Sequence, residues 1–195
     1  MRASKYLYQS LEIQGTVEKN LKPLLKLYII NRLEIEYSNN FLLHKIIPKL
    51  HKCDARFIKI FQQVITFKEF EFLVDPLRIE KLYFDNGGIT NIFDENVADL
   101  KPILDRLPNA YNIEIQFNQK FEISPITFSK LTRNVKIQSL SLNHFNALLN
   151  LEDFCNFILK NASSPNAEFW LGFNDKNVTP EKAETFDKAV NEFTI

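Results

Sequence analysis

The 195 residues fit one domain spanning 1–195, and a chain of this size buries about 70% of its unfolded surface. With 45% hydrophobic and 25% charged residues, and eighteen phenylalanines against four glycines, the composition argues against disorder and against long flexible linkers. Twenty-four basic residues balance twenty-four acidic ones, so no positive field gathers phosphates and a nucleic-acid partner is disfavoured.

The opening "MRASKYLYQSLEIQG" is basic but lacks the apolar core of a signal peptide, and no apolar run approaches the roughly 18 residues that cross a bilayer. No membrane partner is expected, and the chain reads as intracellular, cytoplasmic or nuclear. Cys53 and Cys155 would stay reduced there as two free thiols. The sequons Asn161-Ala162-Ser163 and Asn177-Val178-Thr179 would matter only in a secreted protein.

In chain order, "SLEIQ" is the first segment with apolar residues at every second position, the period of a strand with one buried face. "LKPLLKL" from Leu21 precedes the next, "RLEIEY". Phe41, Leu42, Ile46 and Ile47 then return at helical spacing before Pro48 interrupts them. "RFIKIF" is the third strand, and Thr66-Phe67-Lys68-Glu69 has the spacing of a capping box. "EKLYFD" follows, and Asn86-Gly87-Gly88 after it reads as the turn through which the chain leaves that strand. "LKPILDRL" from Leu100 repeats the earlier "LKPLLKL" ahead of the fifth strand, "YNIEIQF". Ser124-Pro125 suits a helix start, "QSLSLNH" is the sixth strand, and Asn150 can cap a helix carrying Phe154, Phe157 and Ile158. "EFWLGFN" is the seventh strand, and Thr179-Pro180 marks a last helix start.

One inward residue per strand, Ile13, Ile35, Ile60, Leu82, Ile115, Leu140 and Leu171, recurs at a loose interval in the range of a leucine-rich repeat. Strands covered by helices on both faces become continuous apolar runs, whereas these alternate, so one sheet face is expected to be wet. The expected fold is therefore α/β: a leucine-rich-repeat-like solenoid of about seven parallel strands with helices on one face. Glu34, Glu36, Lys59, Lys81, Tyr83, Glu114, Gln116, Ser141 and Trp170 are the candidate protein-contact face, beside Glu12, Gln14 and Ser139. Trp170 shares the phase of Glu168, opposite inward Phe169, Leu171 and Phe173, and an aromatic residue on a wet face is a candidate partner contact. The alternative is a small doubly wound α/β enzyme, with helices on both faces and a cleft at the carboxyl ends of the strands.

The glycines at 15, 87, 88 and 172 cannot form GxGxxG, a P-loop or a GxSxG elbow. His44, His51 and Cys53 are the one cluster of metal-ligand types, but Pro48 interrupts a common helix and no CxxC or HExxH pattern completes four-coordinate zinc. His144 lies near Ser141 in sequence without a local oxyanion donor. No catalytic, cofactor or metal residues are assigned, and the chain is expected to be a binding module rather than an enzyme.

At "FLLHKIIPKLHKCDARFIKIFQQVITFKEFEFL", "LPNAYNIEIQF" and "LSLNHFNALLNLEDFCNFILKN" the chain resembles the F-box-associated protein families expanded in nematodes. The resemblance implies a substrate receptor. In such proteins an N-terminal F-box docks on the adaptor of a cullin-type ubiquitin ligase, and a leucine-rich-repeat-like region holds the target. Here the repeats are expected to begin almost at Met1, without the F-box of that pattern, and the only Leu-Pro pair, Leu107-Pro108, is expected to end a helix inside a repeat.

Overall fold

The computed structural model describes residues 6–14, 27–36, 40–90, 100–117, 128–131, 133–145, 151–173 and 184. The strands are β1 (Tyr6–Gln14), β2 (Leu27–Glu36), β3 (Leu50–Cys53), β4 (Phe57–Phe61), β5 (Val64–Thr66), β6 (Lys81–Thr90), β7 (Asn112–Phe117), β8 (Ser139–Phe145) and β9 (Glu168–Phe173). Their main path is β1-β2-β4-β6-β7-β8-β9, every pairing parallel, with β3 beside β2 and β5 beside β6. All seven expected strands are present, in chain order. That order never reverses among the described strands, so it lacks the switch point that places a cleft in a doubly wound sheet.

The alternation decides which face is buried. Leu33, Ile35, Ile58, Ile60, Leu82, Phe84, Ile113, Ile115, Leu140 and Leu142 enter one hydrophobic cluster, while the residues between them do not. The described helices are α1 (Leu42–Ile46), α2 (Phe67–Val74), α3 (Leu100–Asp105) and α4 (Leu151–Asn161). Each adds side chains to that same cluster: Leu43 and Ile46, Phe70 and Leu73, Ile103 and Leu104, Phe154 and Phe157. All four helices therefore cover the apolar face.

Local chemistry sets the helix ends. Pro48 removes a donor, so α1 stops at Ile46 and a single 3-10 turn, Ile47–Lys49, delivers the chain to β3. At α2 the capping box closes in both directions: the Glu69 amide donates to Thr66 Oγ1 at 3.2 Å, and the Thr66 amide donates to Glu69 Oε2 at 2.8 Å. Asn161 ends α4 as a buried residue whose side-chain amide donates to the Phe157 carbonyl at 2.8 Å, away from any glycosylating enzyme.

A backbone ladder just ahead of the strands ties successive units together. The amide of Arg56 donates to the carbonyl of Asn31, Glu80 to Arg56, Tyr111 to Glu80, Gln138 to Tyr111 and Glu168 to Gln138, all at 2.8–2.9 Å. Residues 24 to 31 apart in sequence thus occupy equivalent places, which fixes the register of the whole face.

The expectation that Asn86-Gly87-Gly88 is the exit from its strand is overturned. β6 runs on to Thr90, and Gly88, Ile89 and Thr90 pair with Val64, Ile65 and Thr66 of β5. Asn86 is the extra residue of a bulge between Asp85 and Gly87 inside one long strand. Asn86 takes the left-handed conformation (φ 51°), Gly87 does not, and Gln62 (φ 53°) takes it between β4 and β5. Gly87 is needed instead for close approach, since a Cβ there would lie 2.2 Å from the Gln63 carbonyl oxygen and 2.8 Å from the Phe84 ring. Fully buried Gln63 satisfies this bend: its Oε1 accepts from the Leu43 amide at 3.2 Å, and its Nε2 donates to the Gln62 carbonyl at 3.2 Å.

The first "LKPLLKL" segment up to Lys26, Gly15, Ser124-Pro125, Asn150, Asn177 and Thr179-Pro180 lie outside the described residues. So do the side chains of Glu12, Ile13, Gln14, His144 and Phe173. Among the described residues no helix is long and apolar enough to cross a membrane.

Candidate protein-interaction face

The face opposite the core is built by parallel pairing, which stacks equivalent residues across strands about 4.8 Å apart. Glu34, Lys59, Tyr83, Glu114, Ser141 and Trp170 stand in one register as a row crossing six strands. Six of the nine residues marked from the sequence thus form a single line. Lys81 lies in the row toward the amino ends of the strands, with Arg32, Phe57, Asn112, Ser139 and Glu168. Glu36 and Gln116 lie in the row toward the carboxyl ends, with Phe61, Asp85 and Asn143. None of the nine is buried.

On β2, β4 and β6 the charges are largely paired. Lys59 donates to Glu36 and approaches Glu34 at 3.2 Å, and those two hydrogen bonds hold its ammonium above the usual lysine range. Glu34 also meets Arg32 at 3.6 Å. Lys59 stands 5.8 Å from the Tyr83 ring centroid, while Arg32, Arg56 and Lys81 surround the Phe57 ring at 5.8–6.0 Å. Arg56 is bound to Glu80, whereas Lys81 meets only the rings of Phe57 and Tyr111 among the described residues. A shallow hollow of about 260 Å³ opens here, lined by Arg32, Glu34, Phe57, Lys81, Tyr83 and Asn112 among others.

Toward β7, β8 and β9 the surroundings change. Burial, then Asp85 and Glu114, raise the Tyr83 hydroxyl, and burial, then Asp85, raises the Glu114 carboxyl. At the far end the indole N–H of Trp170 donates to Asn143 Oδ1 at 2.8 Å, and Asn143 Nδ2 donates to Ser141 Oγ at 3.1 Å. Trp170 is nevertheless 64% exposed. Phe169 and Leu171 on the opposite phase pack against the core.

Arg32, Phe57 and Asn143 belong to this face but were not marked from the sequence. The usable signal was phase: each sits two residues from a marked position on its own strand. The other residues singled out are engaged locally. His44 Nδ1 lies 2.6 Å from Glu69 Oε1, His51 packs on the Tyr28 ring at 4.8 Å, and both cysteines are free and buried. Burial pushes the Cys53 thiol up to about 11 and so suppresses the nucleophilic thiolate. Among the described residues no three of His, Cys, Asp and Glu converge on a point where a metal could sit.

Comparison with known proteins finds no matching family model, no matching curated protein and no matching solved structure.

Proposed function

We propose that this chain is a non-enzymatic protein-interaction module, a leucine-rich-repeat-like solenoid that recognises a partner protein through the open face of its sheet. The observation that carries the reading is the row from Glu34 to Trp170: unburied side chains in register across six parallel strands, ending on an exposed, hydrogen-bonded tryptophan. The repeat pattern L-x-x-L-x-L-x-x-N/C-x-L supports the solenoid. Ala55, Ile58, Ile60 and Ile65 fall at its apolar positions, and Ile79, Leu82, Phe84 and Ile89 fall there again one unit later, while Gln63 and Gly87 stand where the pattern has Asn or Cys. These residues are all buried, and Ile58 pairs with Leu82, Ile60 with Phe84 and Ile65 with Ile89 across the sheet.

In its narrower form the proposal makes this face the target-holding part of a cullin-type ubiquitin ligase receptor acting in the cytoplasm or nucleus, which rests on the resemblance to F-box-associated families. Proximity labelling with the wild type and with Glu34, Glu36, Lys81 and Trp170 substituted tests the wider form, and an unchanged set of labelled proteins sinks it. Co-precipitation of the ligase adaptor with the chain tests the narrower one. Failure to recover the adaptor, with partners that are never ubiquitinated, removes the ligase role and leaves the interaction module standing.

A further inference from the structure

The open face is electrically uneven. On β2, β4 and β6 lysine and arginine stand among the glutamates, whereas the face of β7, β8 and β9 carries Glu114 and Glu168 and no cation. Asp85, on the adjoining strand, adds a third carboxylate, whose Oδ2 accepts from the Tyr83 hydroxyl at 3.5 Å and whose buried Oδ1 has no hydrogen-bond partner among the described residues. None of these three carboxylates has an ion-pair partner among the described residues. With no cation among them, these three carboxylates give this half of the face a negative potential.

Trp170 stands beside this deficit, about 10 Å across two strand spacings from Glu114 and two residues from Glu168. Its N–H is occupied by Asn143, Asn143 is steadied by Ser141, and Gly172 lacks the Cβ that would lie 2.3 Å from Asn143 Oδ1. Three residues therefore serve to fix one exposed indole. Ordering side chains on a wet surface costs rotamer entropy and stabilises the fold little. What it yields is a preset aromatic plane, 64% exposed, with its polar edge satisfied, next to carboxylates that lack ion-pair partners among the described residues. A guanidinium matches both features, because it is planar, stacks on aromatic faces and binds carboxylates through a fork of donors.

We propose, building on the interaction reading above, that the β7–β9 half of the face docks an extended, arginine-bearing segment of a partner protein, with one guanidinium stacked on Trp170 within reach of Glu168 and Glu114. The anionic backbone of nucleic acid and the surface of an acidic membrane carry the wrong sign for this half.

Trp170 is the only tryptophan of the chain, so its emission reports the site directly. Hexa-arginine, hexa-citrulline and hexa-glutamate are titrated into the full chain, and affinities of variants are read by anisotropy of labelled hexa-arginine, with circular dichroism confirming the fold. Hexa-arginine is expected to change Trp170 emission saturably and to bind on the order of tenfold more tightly than hexa-citrulline. Trp170→Ala and the pair Glu114→Gln with Glu168→Gln should each weaken it on the order of fivefold. Asn143→Ala should weaken it less and make the indole easier to quench with acrylamide. Hexa-arginine binding that ignores both Trp170→Ala and the two glutamate substitutions overturns the proposal. So does tighter binding of hexa-glutamate that depends on Lys81, although that result keeps the face as a binding surface. Only partner labelling indifferent to every face substitution removes the interaction reading itself.

Discussion

A Cβ at Gly87 or at Gly172 would meet an oxygen at a similar distance, 2.2 and 2.3 Å, yet substitution to alanine is expected to have different consequences at the two positions. In Gly87→Ala the new Cβ would lie 2.2 Å from the Gln63 carbonyl oxygen, so that oxygen must retreat by about 1 Å to reach ordinary contact. Gln63 cannot move freely, because its carbonyl accepts from the Gly88 amide at 3.0 Å and its buried side chain holds the Leu43 amide. Overpacking of this kind costs about 1–3 kcal/mol and loss of one backbone bond about 1 kcal/mol, offset by about 0.5–1 kcal/mol from the stiffer unfolded chain. The net expectation is a loss of about 2 kcal/mol. In Gly172→Ala the obstacle is the tip of the Asn143 side chain at 2.3 Å, on the open face, and it can rotate away. Stability should then change by less than about 1 kcal/mol, while Trp170 loses its acceptor and its emission shifts toward that of a free indole. Urea denaturation followed by circular dichroism and by Trp170 emission measures both effects. Equal stability losses, or a Gly172→Ala variant with an unaltered indole environment, would refute the reasoning from close approach.

Further outcomes follow from single contacts. Gln63→Leu leaves the Leu43 amide and the Gln62 carbonyl without partners inside the fold, and should cost about 2–3 kcal/mol, read as a fall in calorimetric Tm; an unchanged Tm contradicts this role. Thr66→Ala opens the capping box and should cost about 1 kcal/mol, with faster hydrogen exchange at the Glu69 amide as the local sign. The Cys53 thiol is raised from 9.0 to about 11, chiefly by burial, so the folded state holds its proton more tightly than the unfolded one. That contribution to stability is complete below pH 9 and disappears as pH rises toward about 11. Urea midpoints of wild type and Cys53→Ala should converge across that window, and parallel pH profiles would contradict the burial argument.

The seven main strands were legible because one buried face imposes strict alternation, and the buried positions Ile35, Ile60, Leu82, Ile115 and Leu140 fall where the period puts them. β3 and β5 were not, since four residues with the pattern Leu50-His51-Lys52-Cys53 and three with Val64-Ile65-Thr66 are too short to show a period. Asn86-Gly87-Gly88 misled for a different reason. Local turn preference is real, and Asn86 does adopt positive φ, but pairing with β5 overrides the exit and converts a turn signal into a bulge. Gln63 was hidden because glutamine after a strand normally reads as solvated. Its offset of three from Ile60, repeated by Gly87 after Phe84, was the available clue. On the face, Trp170 was legible from phase alone, whereas its clamp by Asn143 depends on the register of β8 against β9 and on the missing Cβ of Gly172, neither of which sequence spacing reveals.

Placing a photo-crosslinking amino acid at position 170, and in a separate variant at exposed Leu159 on α4, tests most directly whether the open sheet face is the surface that meets a partner. A discrete crosslinked protein from position 170 and none from position 159 is the expected result. Crosslinking from position 159 with none from position 170 would place recognition on the helical side and contradict the proposed function.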